Sequence, residues 1–102
     1  YADGYPRCLS NLGVASIHGK PAPVIGRVSM DQIVLDASAV PEVSAGDEAT
    51  LLGAAPADGF AQAAEKAGTI SYELLCAVAR RVPRVYLRGG DVVEILDYLD
   101  KE

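Results

Sequence analysis

A short polar segment, Gly26–Gln32 (GRVSMDQ), interrupts what would otherwise be one continuous apolar strand pattern. The apolar run Ala22–Ile25 precedes it and the run Ile33–Leu35 follows it. A glycine inside a strand pattern often marks a bulge or a close approach of the backbone. The segment therefore predicts one of two things. It is either an ordinary corner between two strands or a site whose charged groups are held between rigid elements.

The size and composition of the chain limit what it can be. Its 102 residues allow one domain with a core of modest stability. The hydrophobic content of 50% and charged content of 23% indicate a globular chain. The net charge of −5 argues against a nucleic-acid partner, and no apolar run approaches the roughly 20 residues of a membrane span. Because the chain begins with Tyr rather than Met, we expect a domain excised from a larger protein, without a signal peptide.

The cysteines and the histidine form no recognisable metal or redox motif. Cys8 and Cys76 are far apart and lack the C-x-x-C spacing of zinc or redox sites. Two free thiols in a reducing cytosol are the preferred interpretation, and a disulfide is the alternative. His18 lies next to Gly19 and Lys20 in a predicted turn, which favours a solvated residue over a catalytic base.

The first half of the chain has the pattern of strands and turns. A first strand is predicted over Leu12–Ile17, followed by a turn at residues 18–20. The second strand should start at a sheet edge, because Pro21 and Pro23 cannot donate to a ladder. The third strand, Ile33–Leu35, is predicted to be buried on both faces. A turn-rich stretch over residues 41–46 should lead into a further strand around residues 49–52.

The second half predicts two helices and a hairpin. Asp58 is expected to cap a first helix over residues 61–66, with Gly68 as its C-terminal stop. A second helix is predicted from Ser71 to about Val82, ended by Pro83. Its apolar stripe consists of Leu74, Leu75, Val78, Ala79 and Val82. Strands over residues 85–88 and 92–96, joined by Gly-Gly, predict a hairpin. The whole pattern indicates a mainly β domain with two short helices.

Three segments in this order resemble signature segments of alanine racemase: Tyr1–Arg7 (YADGYPR), Gly26–Gln32, and Gly68–Glu73 (GTISYE). The tail, residues 81–85, also resembles the family's ending, and Ser29 stands where the family usually has Cys. The resemblance covers essentially the whole chain but only the C-terminal domain of the enzyme. It implies a mainly β, barrel-like domain over residues 1–102. In the complete enzyme this domain follows an N-terminal (β/α)8 barrel that holds pyridoxal phosphate.

The resemblance also implies roles for particular residues, none of them catalytic. The cofactor lysine and the catalytic tyrosine of the family lie upstream of Tyr1. Substrate-binding roles fall on Tyr1 and on the backbone N–H of Met30, and a bond to the cofactor phosphate falls on Tyr72. The residues of the access corridor are Arg7, Arg27, Asp31 and Ile70. Without the resemblance, Met30 is core filler, Tyr72 a packing residue and each arginine a member of a surface ion pair.

The function implied is interconversion of L- and D-alanine for peptidoglycan synthesis in the cytoplasm. The family pairs two subunits head to tail as a homodimer. Some residues would then act on the partner's site: Tyr1, Arg7, Arg27 and Met30. Others would act within their own subunit: Ile70 and Tyr72. Two alternatives stay open. One is a stand-alone β-rich binding or interaction module, and the other is a racemase of broader amino-acid specificity.

Overall fold

The computed structural model describes residues 1–97. A short 3-10 helix (Arg7–Leu9) precedes five strands and two α-helices. In chain order these are β1 (Val14–Ile17), β2 (Lys20–Ile25), β3 (Val34–Leu35), α1 (Phe60–Ala67), α2 (Ser71–Ala77), β4 (Arg84–Arg88) and β5 (Asp91–Leu96). The strands form an antiparallel sheet in the order β1-β2-β3 and a separate hairpin, β4–β5. The prediction of a mainly β domain with two short helices is confirmed.

The turn between β1 and β2 follows from local sequence. His18 and Gly19 have φ angles of 52° and 71°, the left-handed pair that a two-residue type I′ hairpin requires. The His18 ring also lies 3.1 Å from a carboxylate oxygen of Asp47. Strand β1 begins at Val14 rather than at Leu12, because Leu12 still donates its N–H to the carbonyl of Leu9 in the preceding turn.

Strand β2 tolerates its prolines because of where they stand. β2 is the middle strand, but β3 pairs only with Val24 and Ile25. Within residues 1–97, Pro21 at the start of β2 has only β1 beside it, as predicted, whereas the carbonyl of Pro23 also accepts the N–H of Asp36 at 2.8 Å. Both prolines alternate with the residues that bond to β1, so their missing N–H groups would point away from β1.

Strand β3 differs from the prediction. It is shorter than expected, and Val34 is 59% exposed, so burial on both faces is wrong. The physical reason is that, among the strands of residues 1–97, β3 lies at the edge of its sheet and pairs with β2 alone. The strand predicted around residues 49–52 is reduced to a single bridge, in which Ser16 and Thr50 exchange two backbone hydrogen bonds.

The main core lies between the sheet, the 3-10 helix and the two α-helices. Its buried members are Tyr5, Leu9, Val24, Val28, Ala63, Ala64 and Leu74. The ring of Tyr5 passes so close to the backbone of Gly13 that a Cβ there would lie 1.9 Å from the phenol oxygen. Residue 13 must therefore be glycine while residue 5 is tyrosine.

Helix α1 begins differently from the prediction, which is wrong about Asp58. The N-cap is Gly59, whose N–H is bound 2.8 Å from Oε1 of Gln62. Asp58 is instead buried, 6% exposed, and its carboxylate accepts the N–H of Val14 at 2.9 Å. The predicted stop at Gly68 is confirmed by its left-handed φ of 74°.

Helix α2 ends at Ala77, one turn or more before the predicted end. The carbonyls of Val78, Ala79 and Val82 are not used for further helix, because they accept hydrogen bonds from the guanidinium of Arg84. The N–H of Ala79 donates to the carbonyl of Asp3 at 3.1 Å. Hydrogen bonds to the Arg84 side chain and to the backbone of Asp3 therefore end this helix before its apolar pattern does.

The predicted β4–β5 hairpin is confirmed. Gly89 and Gly90 have φ angles of 59° and 86°, again the type I′ pair. The register shifts between Tyr86 and Leu87, which leaves one extra residue on β5 as a bulge. Neither α-helix within residues 1–97 is long and apolar enough to cross a membrane.

Candidate functional site

The N-terminal segment lies directly against the polar segment Gly26–Gln32. The amino group of Tyr1 donates to the carbonyls of Ser29 at 2.7 Å and Met30 at 3.0 Å. The N–H of Ala2 also donates to the Met30 carbonyl, at 3.0 Å. Two of the segments singled out in the sequence are therefore joined through the backbone of Met30.

Ser29 closes the tip of this loop. Its hydroxyl oxygen accepts the N–H of Gln32 at 3.0 Å and donates to the carbonyl of the same residue at 2.9 Å. The backbone N–H of Ser29 donates to that carbonyl as well, at 3.0 Å. Met30 and Asp31 occupy the two positions between the bonded ends. Serine in place of the expected cysteine thus supplies short bonds of the kind a hydroxyl makes readily and a thiol only weakly.

Ser10 and Asn11 hold the other end of the loop. Oδ1 of Asn11 accepts the N–H of Gly26 at 2.7 Å, and Oγ of Ser10 accepts the N–H of Val28 at 2.8 Å. The Ser10 hydroxyl donates in turn to the carbonyl of Arg7 at 2.6 Å. No local pattern indicates the bonds to Gly26 and Val28, because these partners lie 15 and 18 positions away and neither side chain belongs to a recognised motif.

Two clefts open on either side of the N-terminal segment and share Tyr1 and Tyr5. One, of about 490 Å³, is lined by Arg7, the end of α1 and the middle and end of α2. The other, of about 360 Å³, is lined by Met30, Asp31 and the residues that follow them. The structure therefore brings Tyr1 together with Met30 and Asp31 in one cleft and with Arg7 in the other.

The remaining predicted site residues lie outside these clefts. Arg27, Ile70 and Tyr72 line neither of the two. Ile70 is 63% exposed and Tyr72 is 74% exposed, so both side chains are available to another surface. Arg27 is also exposed, and its backbone position is fixed relative to Arg7 by the Ser10 contacts.

Two hydrogen-bond donors at the site, the backbone N–H of Met30 and the hydroxyl of Tyr72, are available to a ligand. Within residues 1–97 the backbone N–H of Met30 has no hydrogen-bond partner, while its carbonyl accepts from Ala2. In the same part of the chain the hydroxyl of Tyr72 makes no hydrogen bond. Met30 is 58% exposed, so it is not the core filler that its residue type alone suggests. Both groups can therefore donate to an anionic ligand.

An ion pair fixes the N-terminal motif to the tail. Nε and Nη2 of Arg81 donate to the two carboxylate oxygens of Asp3 at 2.5 and 2.6 Å. The hydrogen bonds from Arg81, together with its positive charge, hold the pKa of Asp3 below its usual range. The same contacts raise the pKa of Arg81. Both residues belong to segments recognised in the sequence, but their pairing is a long-range contact that no local pattern contains.

Tyr5, which lies behind both clefts, has an unusual environment. Its side chain is buried, and its hydroxyl has no hydrogen-bond partner within residues 1–97. Burial raises the pKa of Tyr5 to about 12, and the charge of Asp58 adds to the effect. At neutral pH Tyr5 is therefore a protonated, uncharged wall shared by the two clefts.

Cys8 lines the larger of the two clefts. Cys8 and Cys76 are both free and exposed, as preferred over the disulfide. Within the described part of the chain, no group of three or more His, Cys, Asp or Glu residues could hold a metal ion.

Comparison with known proteins identifies the family. The family model described as alanine racemase, C-terminal domain, matches residues 1–86. The chain belongs to this family. It is 46% identical over 101 residues to alanine racemase 1 of Clostridium acetobutylicum, covering 97% of this chain and 26% of that protein. The resemblance found in the three sequence segments is thereby confirmed.

Solved alanine racemase structures have the same fold. The alanine racemase of Clostridium difficile 630 matches with a TM-score of 0.87 and 37% identity, covering 97% of this chain and 27% of that one. The alanine racemase of Bartonella henselae, solved with covalently bound pyridoxal phosphate, matches with a TM-score of 0.76 and 35% identity over 85% of this chain and 25% of that one. The chain thus spans about a quarter of the length of the relatives it matches.

Proposed function

We propose that this chain is the C-terminal domain of a pyridoxal-phosphate-dependent alanine racemase that interconverts L- and D-alanine. Its part is to position the substrate and to form the corridor that leads to the active site. The observation that carries the proposal is the Met30 loop. The Met30 carbonyl accepts the N–H of Ala2, and within residues 1–97 the Met30 N–H has no partner and lies beside a cleft.

The reaction requires an α-proton to be removed from one face of the amino acid and returned to the other. When bound, pyridoxal phosphate supplies the electron sink that makes this proton acidic enough to remove. Two proton-transfer groups on opposite faces are also needed, and we assign neither to this chain. Lys66 is engaged by Asp58 and Lys20 by Glu42, and Lys101 lies outside the described residues.

The backbone N–H of Met30 is suited to orienting the substrate carboxylate. A neutral donor holds an anion in place without adding a group that titrates near neutral pH. Because Ser29 closes the loop on both sides of the tip, the donor is fixed before substrate arrives. Tyr1, which lines the same cleft, forms the wall next to that position.

Tyr72 is suited to donate a hydrogen bond to the phosphate of the cofactor. Its phenol is exposed and unbonded within residues 1–97, and a phosphate oxygen is a strong acceptor for such a donor. Hydrogen bonding from Tyr72 would fix the phosphate end of the cofactor and narrow the passage beside it. Neighbouring Ile70, also exposed, would supply an apolar wall of that passage.

Arg7 and Arg27 suit a corridor for amino-acid carboxylates. Both are exposed, and cations along an approach route raise the local concentration of an anionic substrate. Asp31, at the tip of the loop, would pair with one of these cations or orient the loop itself.

Within this proposal, residues 1–102 form one domain that follows an N-terminal (β/α)8 barrel. The barrel holds the cofactor, and two subunits pair head to tail so that Met30 and Tyr1 serve the partner's active site. The exposure of Met30, Ile70 and Tyr72 supports a covering surface of this kind. D-alanine formed in the cytoplasm would feed peptidoglycan synthesis.

One alternative, a racemase of broader amino-acid specificity, would use the same surface. The stand-alone module is not favoured, because the family match extends over residues 1–86.

The role of Met30 can be tested by a substitution that removes its backbone N–H and leaves the charge of the protein unchanged. In the full-length enzyme Met30→Pro deletes the donor, at a loop position where turns accept proline, and Met30→Leu keeps it. We expect kcat/KM for L-alanine to fall by about tenfold to a hundredfold in the proline variant. The leucine variant should change it by less than about threefold, and thermal unfolding should show that both variants fold. Equal kcat/KM values in the two variants would remove Met30 from substrate binding.

A further inference from the structure

We infer that Ser10 and Asn11 are positioning residues that set the placement of the corridor arginines. This inference rests on the proposed function. Adjacent in sequence, the two side chains accept the two N–H groups on either side of Arg27. Gly26 donates to Asn11 at 2.7 Å and Val28 donates to Ser10 at 2.8 Å. Arg27 is therefore held at both of its backbone neighbours.

The Ser10 hydroxyl joins the two arginine segments through a single oxygen. It donates its proton to the carbonyl of Arg7 at 2.6 Å and accepts the N–H of Val28 at 2.8 Å. Because the proton is committed to Arg7, a lone pair is left to face Val28. The relative position of the Arg7 and Arg27 backbones thus depends on one side chain that needs both functions of a hydroxyl.

The local backbone is built for this contact. Asn11 has a φ of 60°, a left-handed conformation that asparagine adopts more readily than most residues. Gly26, its partner, has a φ of 73°. Below the contact, Leu9 and Val28 are fully buried in the same core cluster. Burial of Val28 holds the loop against the core, and the side chains of Ser10 and Asn11 hold the backbone on both sides of Arg27.

Neither residue lines either cleft, so their expected effect is indirect. Loss of the hydroxyl would let residues 26–28 shift relative to Arg7 while the reacting groups stay in place. Substrate capture should then weaken more than turnover. The expected signature is a higher KM for alanine with an almost unchanged kcat.

The experiment compares Ser10→Ala with Ser10→Thr, and Asn11→Gly with Asn11→Asp, in the full-length enzyme. Thr keeps the hydroxyl and Asp keeps an acceptor oxygen, while Gly keeps the left-handed backbone but removes the acceptor. We expect Ser10→Ala to raise KM by about three- to tenfold, with kcat within about twofold. Ser10→Thr should restore most of the loss. Asn11→Gly should act like Ser10→Ala, and Asn11→Asp should not.

A double-mutant cycle separates positioning from general support of the fold. If Ser10 acts through Arg27, Ser10→Ala should raise KM much less in an Arg27→Ala background than in the wild type. The same KM ratio in both backgrounds would overturn the inference. So would a Ser10→Ala enzyme with wild-type KM.

Hydrogen exchange distinguishes failure of this inference from failure of the proposed function. Exchange at residues 26–32 of the full-length protein should be faster in Ser10→Ala than in Ser10→Thr, whether or not alanine is racemised. If exchange is faster in Ser10→Ala but the full-length protein does not racemise alanine, the proposed function is rejected and the contact of Ser10 with the loop is retained. Unchanged exchange would reject the contact itself.

Discussion

Asp58 and Lys66 form an ion pair in which the ammonium lies 2.9 and 3.0 Å from the two carboxylate oxygens. The Asp58 side chain is 7% exposed, and its carboxylate also accepts the N–H of Val14. Lys66 donates additionally to the carbonyl of Leu12 at 3.1 Å. The pair therefore joins helix α1 to the start of strand β1.

Removing one partner of this pair should be costly. We expect Lys66→Ala to lower the free energy of unfolding by about 3–5 kcal/mol, because it leaves a buried carboxylate without its counter-ion. Urea unfolding of the domain measures the change. The matched control is Lys20→Ala, which removes the exposed partner of Glu42 and should have little effect. Equal losses in the two variants would show that the Asp58 pair contributes no more than a surface pair.

The buried phenol of Tyr5 predicts a loss of stability at alkaline pH. Its pKa is raised from 10.0 to about 12, mainly by burial. The folded state thus holds the proton more tightly than the unfolded state. This contribution to stability is complete below pH 10 and is lost as the pH rises to about 12. Tyr5→Phe lacks this contribution. Between pH 10 and pH 12 its unfolding free energy should therefore fall by about 2 kcal/mol less than that of the wild type.

Urea unfolding at several pH values between 10 and 12 tests this prediction. Tyr72→Phe, which removes an exposed phenol, should follow the wild-type curve. At neutral pH Tyr5→Phe should cost little, because the hydroxyl has no hydrogen-bond partner within residues 1–97. Parallel curves for Tyr5→Phe and wild type would mean that Tyr5 ionises equally in both states.

Local turn chemistry could be predicted from the sequence, and long-range polar contacts could not. Gly19, Gly68 and the Gly89-Gly90 pair each mark a turn or helix end that the structure contains, because left-handed backbone is a property of the residue itself. The prediction of Asp58 as a helix cap is wrong because its carboxylate binds Lys66 and the N–H of Val14, which lies 44 positions away.

The same distinction explains the site. Tyr1 and Met30 belong to two of the recognised segments, and the structure brings them together in one cleft. The early end of helix α2 depends on Arg84, and the support of the loop depends on Ser10. The Arg84 contacts span two to six positions and the Ser10–Val28 contact spans 18. Hydrophobic periodicity encodes neither, because each joins a side chain to a backbone group.

Tyr72→Phe in the full-length enzyme tests the contact with the cofactor. Loss of the hydrogen bond to a charged phosphate should raise the apparent Kd for pyridoxal phosphate by about tenfold or more. Absorbance titration of the apoenzyme measures this. Tyr86→Phe, which alters another exposed tyrosine, should leave the Kd unchanged. An unchanged Kd in Tyr72→Phe would remove Tyr72 from the cofactor site.

Arg27→Ala tests the corridor. At low ionic strength we expect kcat/KM for alanine to fall by about tenfold, and added salt should shrink the difference from wild type. Arg27→Lys keeps the charge and should retain most of the activity. A difference that does not respond to salt would show that Arg27 does not act by attracting the substrate carboxylate.

The most direct test of the account is formation of D-alanine from L-alanine, measured side by side for the full-length protein and for the 102-residue chain, each with pyridoxal phosphate. The chain has alternating strands, two helices and a core, so we expect it to fold, which circular dichroism will show. It should nevertheless form no D-alanine, while the full-length protein racemises alanine, because in the proposed function this domain positions the substrate and neither proton-transfer group is assigned to it. Turnover by the isolated chain, or none by the full-length protein, would contradict the account.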